Sequence, residues 1–471
     1  MFIKRQHIKD SVKRPSWKQY QSRLRDNEIR KQRVRNIIRS IPFVAVFFFS
    51  VCTLTWLGKT ALHYVAQRRI DKASCVVTRS GEPAGPVESV VLGGNKEDIR
   101  KVLHGKSLVN LQNSSFDIDY ENKVLRVDTT LDMSLQAYLI KKMDPSTSRF
   151  IAIVVLEPLT GRVLAMTGLD KTDASNNPCI NNRFPAASLF KIITASAAIE
   201  TCGLKLTSPL TYNGGKHTLY KSQIREKISK YTNRITFQSS FAESINPVFG
   251  KIGALYLGKT ILEQYAVAFG FNQPIGFELE LLPSKVLLTS EPYQWAEVAS
   301  GFNNDTIISP LHGALMVLPV LNQGKLFEPS IIDRIIDENE QSLYSSSQPV
   351  LVHQVMTPEA SAMVKEMMKA TVRYGTSRKA FSGCRKDRVL SRLDIGGKTG
   401  SIDSRTHDAR YDWFVGFAEE KTGDRKIAVS VLVAHEKFIG KRAGYYARVA
   451  MKKYFQEYFA GQSATSDHDA T

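Results

Sequence analysis

Residues 41–58 read IPFVAVFFFSVCTLTWLG, eighteen positions without a charge. A helix of that length spans roughly 27 Å at about 1.5 Å per residue, close to the thickness of a hydrocarbon core. Pro42 stands at its start, where a missing N–H is harmless. Trp56 lies near the far end, where indoles favour the membrane interface. Arg39 and Lys59 close the two ends. The pattern predicts a membrane-spanning anchor over 41–58. Further on, strand and helix periods alternate. The run 150–156 (FIAIVVL) reads as a buried strand. The turn Pro158-Leu159-Thr160-Gly161 and a second strand over 162–167 come next. Helical spacing dominates the middle, most clearly over 188–201, 247–257, 261–269 and 310–321. Strand character returns over 393–398, 413–418 and 426–434, before a final amphipathic helix over 441–459. The polar end, GQSATSDHDAT (461–471), is expected to be disordered.

Strands at both ends of a domain with helices inserted between them predict an α+β fold. The late strands join through short links, so they should run antiparallel. One mostly antiparallel sheet then combines the early pair with the late three, flanked by helices and accompanied by an all-helical subdomain. The expected organisation is a basic tail over 1–40, the anchor, a short juxtamembrane or pedestal region over 59–145, and a main domain over 146–460. The pedestal carries strand-like and helix-like pieces but no legible motif.

Charge fixes an orientation for the anchor. The 471-residue chain carries a formal net charge of +19, with 43% apolar and 23% charged residues. Thirteen Lys or Arg stand in the first forty positions against Asp10, Asp26 and Glu28, leaving +9 for the remainder. Such a bias keeps residues 1–40 in the cytoplasm and places the residues beyond 59 outside. No zinc finger, RNA-binding signature or aromatic–basic interleaving accompanies the charge, so a nucleic-acid partner is excluded. The five cysteines, Cys52, Cys75, Cys179, Cys202 and Cys384, include no C-x-x-C pair, which argues against a metal site. Whether the last four are free or paired is open at this point.

Three short motifs carry the chemistry. Ser188-Leu189-Phe190-Lys191 puts a hydroxyl and an amine on one helix face. Ser and Lys three apart arise by chance about twice in a chain this long. Here, however, PAA precedes the motif and IITASAA succeeds it, so the helix is buried, where an unpaired lysine is costly. The second motif, Ser244-Ile245-Asn246, precedes Pro247. Asn246 could simply cap a helix that begins there. Ser175-Asn176-Asn177 has the same form but lies ahead of Ser188 in a polar loop. The third motif, Lys398-Thr399-Gly400-Ser401, comes just after Gly396 and Gly397, which permit close backbone approach. A second triplet, Lys421-Thr422-Gly423, is surrounded by Glu419, Glu420 and Asp424 and reads as an exposed turn.

In this order the three motifs resemble the penicillin-binding transpeptidase family, whose motif set includes S-x-x-K and K-T-G. The resemblance covers about residues 125–455. VDTTLDMSLQ, LEPLTGRVLAMTG and DWFVGFAEE are similar to its segments before the domain, in the first hairpin and after the third motif. Gly301-Phe302-Asn303 stands where the family usually carries Gly-Gln-Gly. The resemblance implies a peptidoglycan D,D-transpeptidase inhibited by β-lactams, acting on stem peptides ending in D-alanyl-D-alanine. Ser188 would be the nucleophile, Lys191 its base and Ser244 a proton relay. Asn246 would hold the donor amide, and Lys398 and Thr399 the terminal carboxylate. Gly400 would allow close approach, and the N–H groups of Ser188 and Ser401 would form the oxyanion hole. No metal or cofactor is implied. Partners would be stem peptides, β-lactams, the lipid bilayer through 41–58 and a cell-wall synthesis complex, at the plasma (inner) membrane. Alternatives are a D,D-carboxypeptidase of the same family and an inactive penicillin-binding scaffold. No E-x-x-L-N run supports a β-lactamase, and 59–145 is too short for a glycosyltransferase.

Overall fold

Both faces of the run at 150–156 are covered by other elements, which is why polar positions never interrupt it. The structure is a computed structural model that describes residues 95–468. The expected anchor and basic tail lie outside the described residues. Among those described, no helix is long and apolar enough to cross a membrane.

The chain enters through helix α1 (Lys96–Val102) and a hairpin of β1 (Ser115–Tyr120) and β2 (Lys123–Thr129). Glu121 and Asn122 turn the hairpin with φ of 50° and 63°, the left-handed pair that a two-residue turn needs. Helix α2 (Met133–Lys142) starts at Asp132, whose carboxylate accepts from Leu135 N at 3.0 Å. Strands β3 (Ser148–Leu156) and β4 (Val163–Asp170) are next. The middle is helical: α3 (Lys191–Cys202), α4 (Asn246–Lys251), α5 (Pro292–Ser300) and α6 (Pro310–Leu315). Two strands, β5 (Ile332–Ile336) and β6 (Ser342–Ser345), precede the long helix α7 (Pro358–Arg373). The last elements are β7 (Leu393–Asp403), β8 (Arg410–Glu420), β9 (Lys426–His435) and α8 (Ala443–His468).

The main sheet runs β7-β8-β9-β3-β4, antiparallel throughout, so the early pair and the late three do share one sheet. It divides two cores. Ile151, Ile153, Val155, Val429 and Val431 face α2 and α8, with Tyr446 and Phe455. Ala152, Val154, Leu156, Trp413 and Val415 face the helical side, with Phe190 and Leu311. Strand β7 is an edge, against which α7 packs.

Two boundaries differ from expectation. The region read as a pedestal is, from Lys96 onward, built into the same unit as the three sequence motifs. Strand β2 pairs with β5, Val127 opposite Ile335, in a sheet ordered β1-β2-β5-β6. A two-stranded hairpin cannot bury Leu125 and Val127 by itself, so it recruits strands from two hundred residues away. The second difference is at the end. Helix α8 continues to His468, into the segment 461–471 read as disordered. Phe455 and Phe459 anchor it in the core, and extending an established helix is inexpensive compared with starting one.

Candidate active site

Ser188 stands in a single 3₁₀ turn, Ala187–Phe190, that runs directly into α3. The preceding Ala187 has φ 49°, a left-handed conformation that is costly for a residue with a Cβ. Two glycines let the surroundings enforce it. Gly301, at the end of α5 with φ 66°, lies so close that a Cβ there would sit 1.8 Å from the Ala187 carbonyl oxygen and 2.8 Å from Ser188 N. Gly400 on β7 passes over the same turn, where a Cβ would stand 3.2 Å from Ala187 Cβ and 3.4 Å from Ser188 N. The Ser188 turn is thus held between a helix end and an edge strand.

Lys191 is wholly buried. Its Nζ lies 2.8 Å from Ser188 Oγ, 2.8 Å from Asn246 Oδ1 and 2.5 Å from the Ser300 carbonyl oxygen. The last two are acceptors only. A neutral amine donates to both and keeps its lone pair for the Ser188 hydroxyl proton. Burial, and then the charge of Lys398, push its pKa well below the ordinary lysine value. Geometry and electrostatics therefore agree on a neutral amine facing a hydroxyl.

Lys398 is equally buried, and burial lowers its pKa to about 7. Its Nζ donates to Ser244 Oγ at 2.9 Å and to the Thr399 carbonyl at 3.0 Å, above the ring of Phe241. Ser244 adopts φ 56°, and its N–H donates to the Phe241 carbonyl. Asn246 opens α4, but its side chain caps nothing. Its Nδ2 donates to the His217 carbonyl at 3.0 Å while its Oδ1 accepts from Lys191. Burial, above all, lowers the pKa of His217 from its ordinary value. Asn246 thus spends its side chain first on orienting Lys191, and only a second lone pair on Oδ1 remains for a ligand N–H.

Thr399 Oγ1 lies 2.5 Å from Thr376 Oγ1, and Ser401 Oγ donates to Asp412 Oδ1 at 3.1 Å. The structure so brings Ser188, Lys191, Ser244, Asn246, Lys398 and Gly400 together. Thr399 and Ser401 stand on the same strand. The duplicate motifs lie elsewhere in their contacts. Lys421 occupies the β8–β9 hairpin turn and donates to the Ser391 carbonyl. Ser175 bonds Asp173, and Asn176 bonds Asp170. Cys179, Cys202 and Cys384 are free. Among the described residues, no cluster of His, Cys, Asp and Glu is arranged to hold a metal ion.

Sequence reasoning missed the Ser300 carbonyl, Thr376 and His217, each brought in by tertiary packing. Gly301 left a signal, since a glycine just after a helix marks a left-handed cap.

Comparison with known proteins gives concordant matches. The family described as "Penicillin binding protein transpeptidase domain" matches residues 151–456. Stage V sporulation protein D of Bacillus subtilis is 26% identical over 335 residues, 66% of this chain and 50% of that protein. Peptidoglycan D,D-transpeptidase PbpA of Mycolicibacterium smegmatis is 22% identical over 324 residues, 60% of this chain and 61% of its own length. The chain thus spans about half to three fifths of these relatives. The D,D-transpeptidase domain of a peptidoglycan glycosyltransferase from Eggerthella lenta superimposes with a TM-score of 0.59 at 20% identity, over 76% of this chain and 87% of that one. The penicillin G acyl-enzyme complex of penicillin-binding protein A from M. tuberculosis gives 0.56 at 20% identity, over 70% and 80%. These two likenesses carry the fold.

Proposed function

Because the chain belongs to the penicillin-binding protein transpeptidase family, we propose that it is a serine D,D-transpeptidase that cross-links peptidoglycan stem peptides and is acylated by β-lactams. The observation that carries this reading is the buried Lys191 amine, 2.8 Å from Ser188 Oγ. Ser188 Oγ attacks the carbonyl between the two terminal D-alanines, and its proton passes to Lys191. The C–N bond breaks, and the departing amine takes a proton through Ser244, which Lys398 orients. The N–H groups of Ser188 and Ser401 hold the oxyanion, commonly a large contribution. Lys398 and Thr399 bind the terminal carboxylate. An amine of a second stem peptide then attacks the ester. A new C–N bond forms, the C–O bond breaks, and the proton returns to Ser188 Oγ.

The test is direct turnover. A synthetic donor ending in D-Ala-D-Ala is incubated with an amine acceptor, and both free D-alanine and the new amide are measured. Absence of D-alanine release removes the reading. Release without amide formation leaves a carboxypeptidase.

The reading includes a membrane setting. The uncharged run 41–58 would anchor the chain in the plasma membrane, and the basic residues before it would stay cytoplasmic. The domain would then face the cell wall, within reach of a synthesis complex. Protease added to spheroplasts should digest the domain and spare a tag at Met1. The reverse pattern eliminates this setting.

A further inference from the structure

The segment after α7 leaves the site through Thr376 and then accumulates positive charge that the proposed chemistry does not use. A cavity of about 590 Å³ opens there, beside the upstream half of β7. Its rim carries Lys369, Arg373, Arg378, Arg385, Lys386 and Lys421. The single carboxylate among its lining residues, Asp394, is paired with Lys369 at 2.6 Å. Among the described residues, Arg378, Arg385 and Lys386 have no carboxylate partner. The floor is apolar and buried, with Phe381, Leu390 and Leu393. A solvated basic surface has no need of a concave apolar floor. Cations around such a floor suit an extended ligand with apolar side groups and several anionic groups. Guanidinium groups in particular match carboxylates two bonds at a time.

The direction of the reaction says which ligand. The leaving D-alanine carries its carboxylate at Lys398 and Thr399, so the amine that replaces it arrives from that end of the cleft. Thr376, 2.5 Å from Thr399, is the first residue of the path onward to Arg378. Along a strand rising about 3.3 Å per residue, Ile395 at the cavity stands about 10 Å upstream of Lys398. Three or four extended peptide residues cover that distance. We propose that this cavity is the acceptor subsite, in which Arg378, Arg385 and Lys386 hold carboxylates of the incoming stem peptide. The assignment rests on the transpeptidase reading for its substrate.

The experiment uses two synthetic tetrapeptide acceptors of one sequence, one with free carboxylates and one fully amidated at them. Transfer from a D-Ala-D-Ala donor is measured for the parent and for the triple variant Arg378→Gln, Arg385→Gln, Lys386→Gln. Circular dichroism and melting establish that the variant is folded. The parent should prefer the carboxylate acceptor. In the variant its KM should rise at least tenfold, and the preference over the amidated form should vanish. The exposed Lys325→Gln, outside the cavity, should change neither. A parent without preference, or a variant that retains it, overturns the proposal. Calorimetric binding of the two tetrapeptides to the parent and the variant decides the same question without turnover: the carboxylate form must bind the parent at least tenfold tighter. Failure of donor acylation, by contrast, counts against the transpeptidase reading alone.

Discussion

Lys398 Nζ donates to Ser244 Oγ at 2.9 Å, a buried contact that joins two motifs 154 residues apart. Through it the third motif reaches the second, and its amine lies close enough to help depress the pKa of Lys191. Lys421 spells the same tripeptide with no such contact, and its amine is spent on the Ser391 carbonyl at the surface.

These two lysines form a matched pair. Lys398→Ala should lower the second-order rate of β-lactam acylation at least tenfold, about 1.4 kcal/mol of transition-state stabilisation. Lys421→Ala should leave that rate within twofold and shift stability by under about 0.5 kcal/mol. Stopped-flow acylation of both with one β-lactam checks this. A crippled Lys421 variant beside an active Lys398 variant would reverse the assignment.

The low pKa of Lys398 gives a pH prediction. The folded group titrates at about 7 and the unfolded one near 10.5. Between those values the unfolded chain binds more protons, so this residue makes the unfolding free energy rise with pH across that window. Activity should move the other way. A ligand carboxylate needs a charged Lys398, so the acylation rate for the free enzyme should fall as pH rises through about 7. Lys398→Arg, which stays charged, should shift that alkaline limb upward by at least one pH unit. An unchanged limb would mean that another group controls it.

Gly301 and Gly203 separate backbone strain from function. Both have left-handed φ, 66° and 64°. A Cβ at Gly203 meets nothing within 4 Å, whereas one at Gly301 would collide with the Ala187 carbonyl. Gly203→Ala should cost about 1 kcal/mol of stability and leave acylation within twofold. Gly301→Ala should displace the Ser188 turn and reduce acylation at least tenfold. Equal effects at both sites would show that the close approach does not position the nucleophile.

The legible part of the sequence was local. Ser188 and Lys191 are one helical turn apart, and the turn 158–161 lies between two apolar strands, so each announced itself within a dozen residues. Contact across the chain escaped notice. Val127 pairs with Ile335, and the Ser300 carbonyl caps the Lys191 amine. Thr376 meets Thr399 because α7 packs along β7. Nothing in the periodicity of either partner encodes such pairings, and for that reason the boundary at 145/146 fell inside a single folded unit. Asn246 shows the intermediate case. Its position before a proline fits a cap, yet the side chain turns to Lys191 instead.

Intact-mass spectrometry after penicillin exposure tests whether Ser188 is the nucleophile that Lys191 activates. The parent chain should gain the mass of one penicillin, and peptide mapping should locate it on the peptide containing Ser188. Ser188→Ala should gain nothing while keeping its melting temperature, because the loss of one hydroxyl opens little cavity. Lys191→Met should fold and acylate at least a hundredfold more slowly, as expected when general-base assistance is lost. An adduct that persists in the Ser188→Ala chain, or one mapped to any other residue, would show that Ser188 is not the nucleophile.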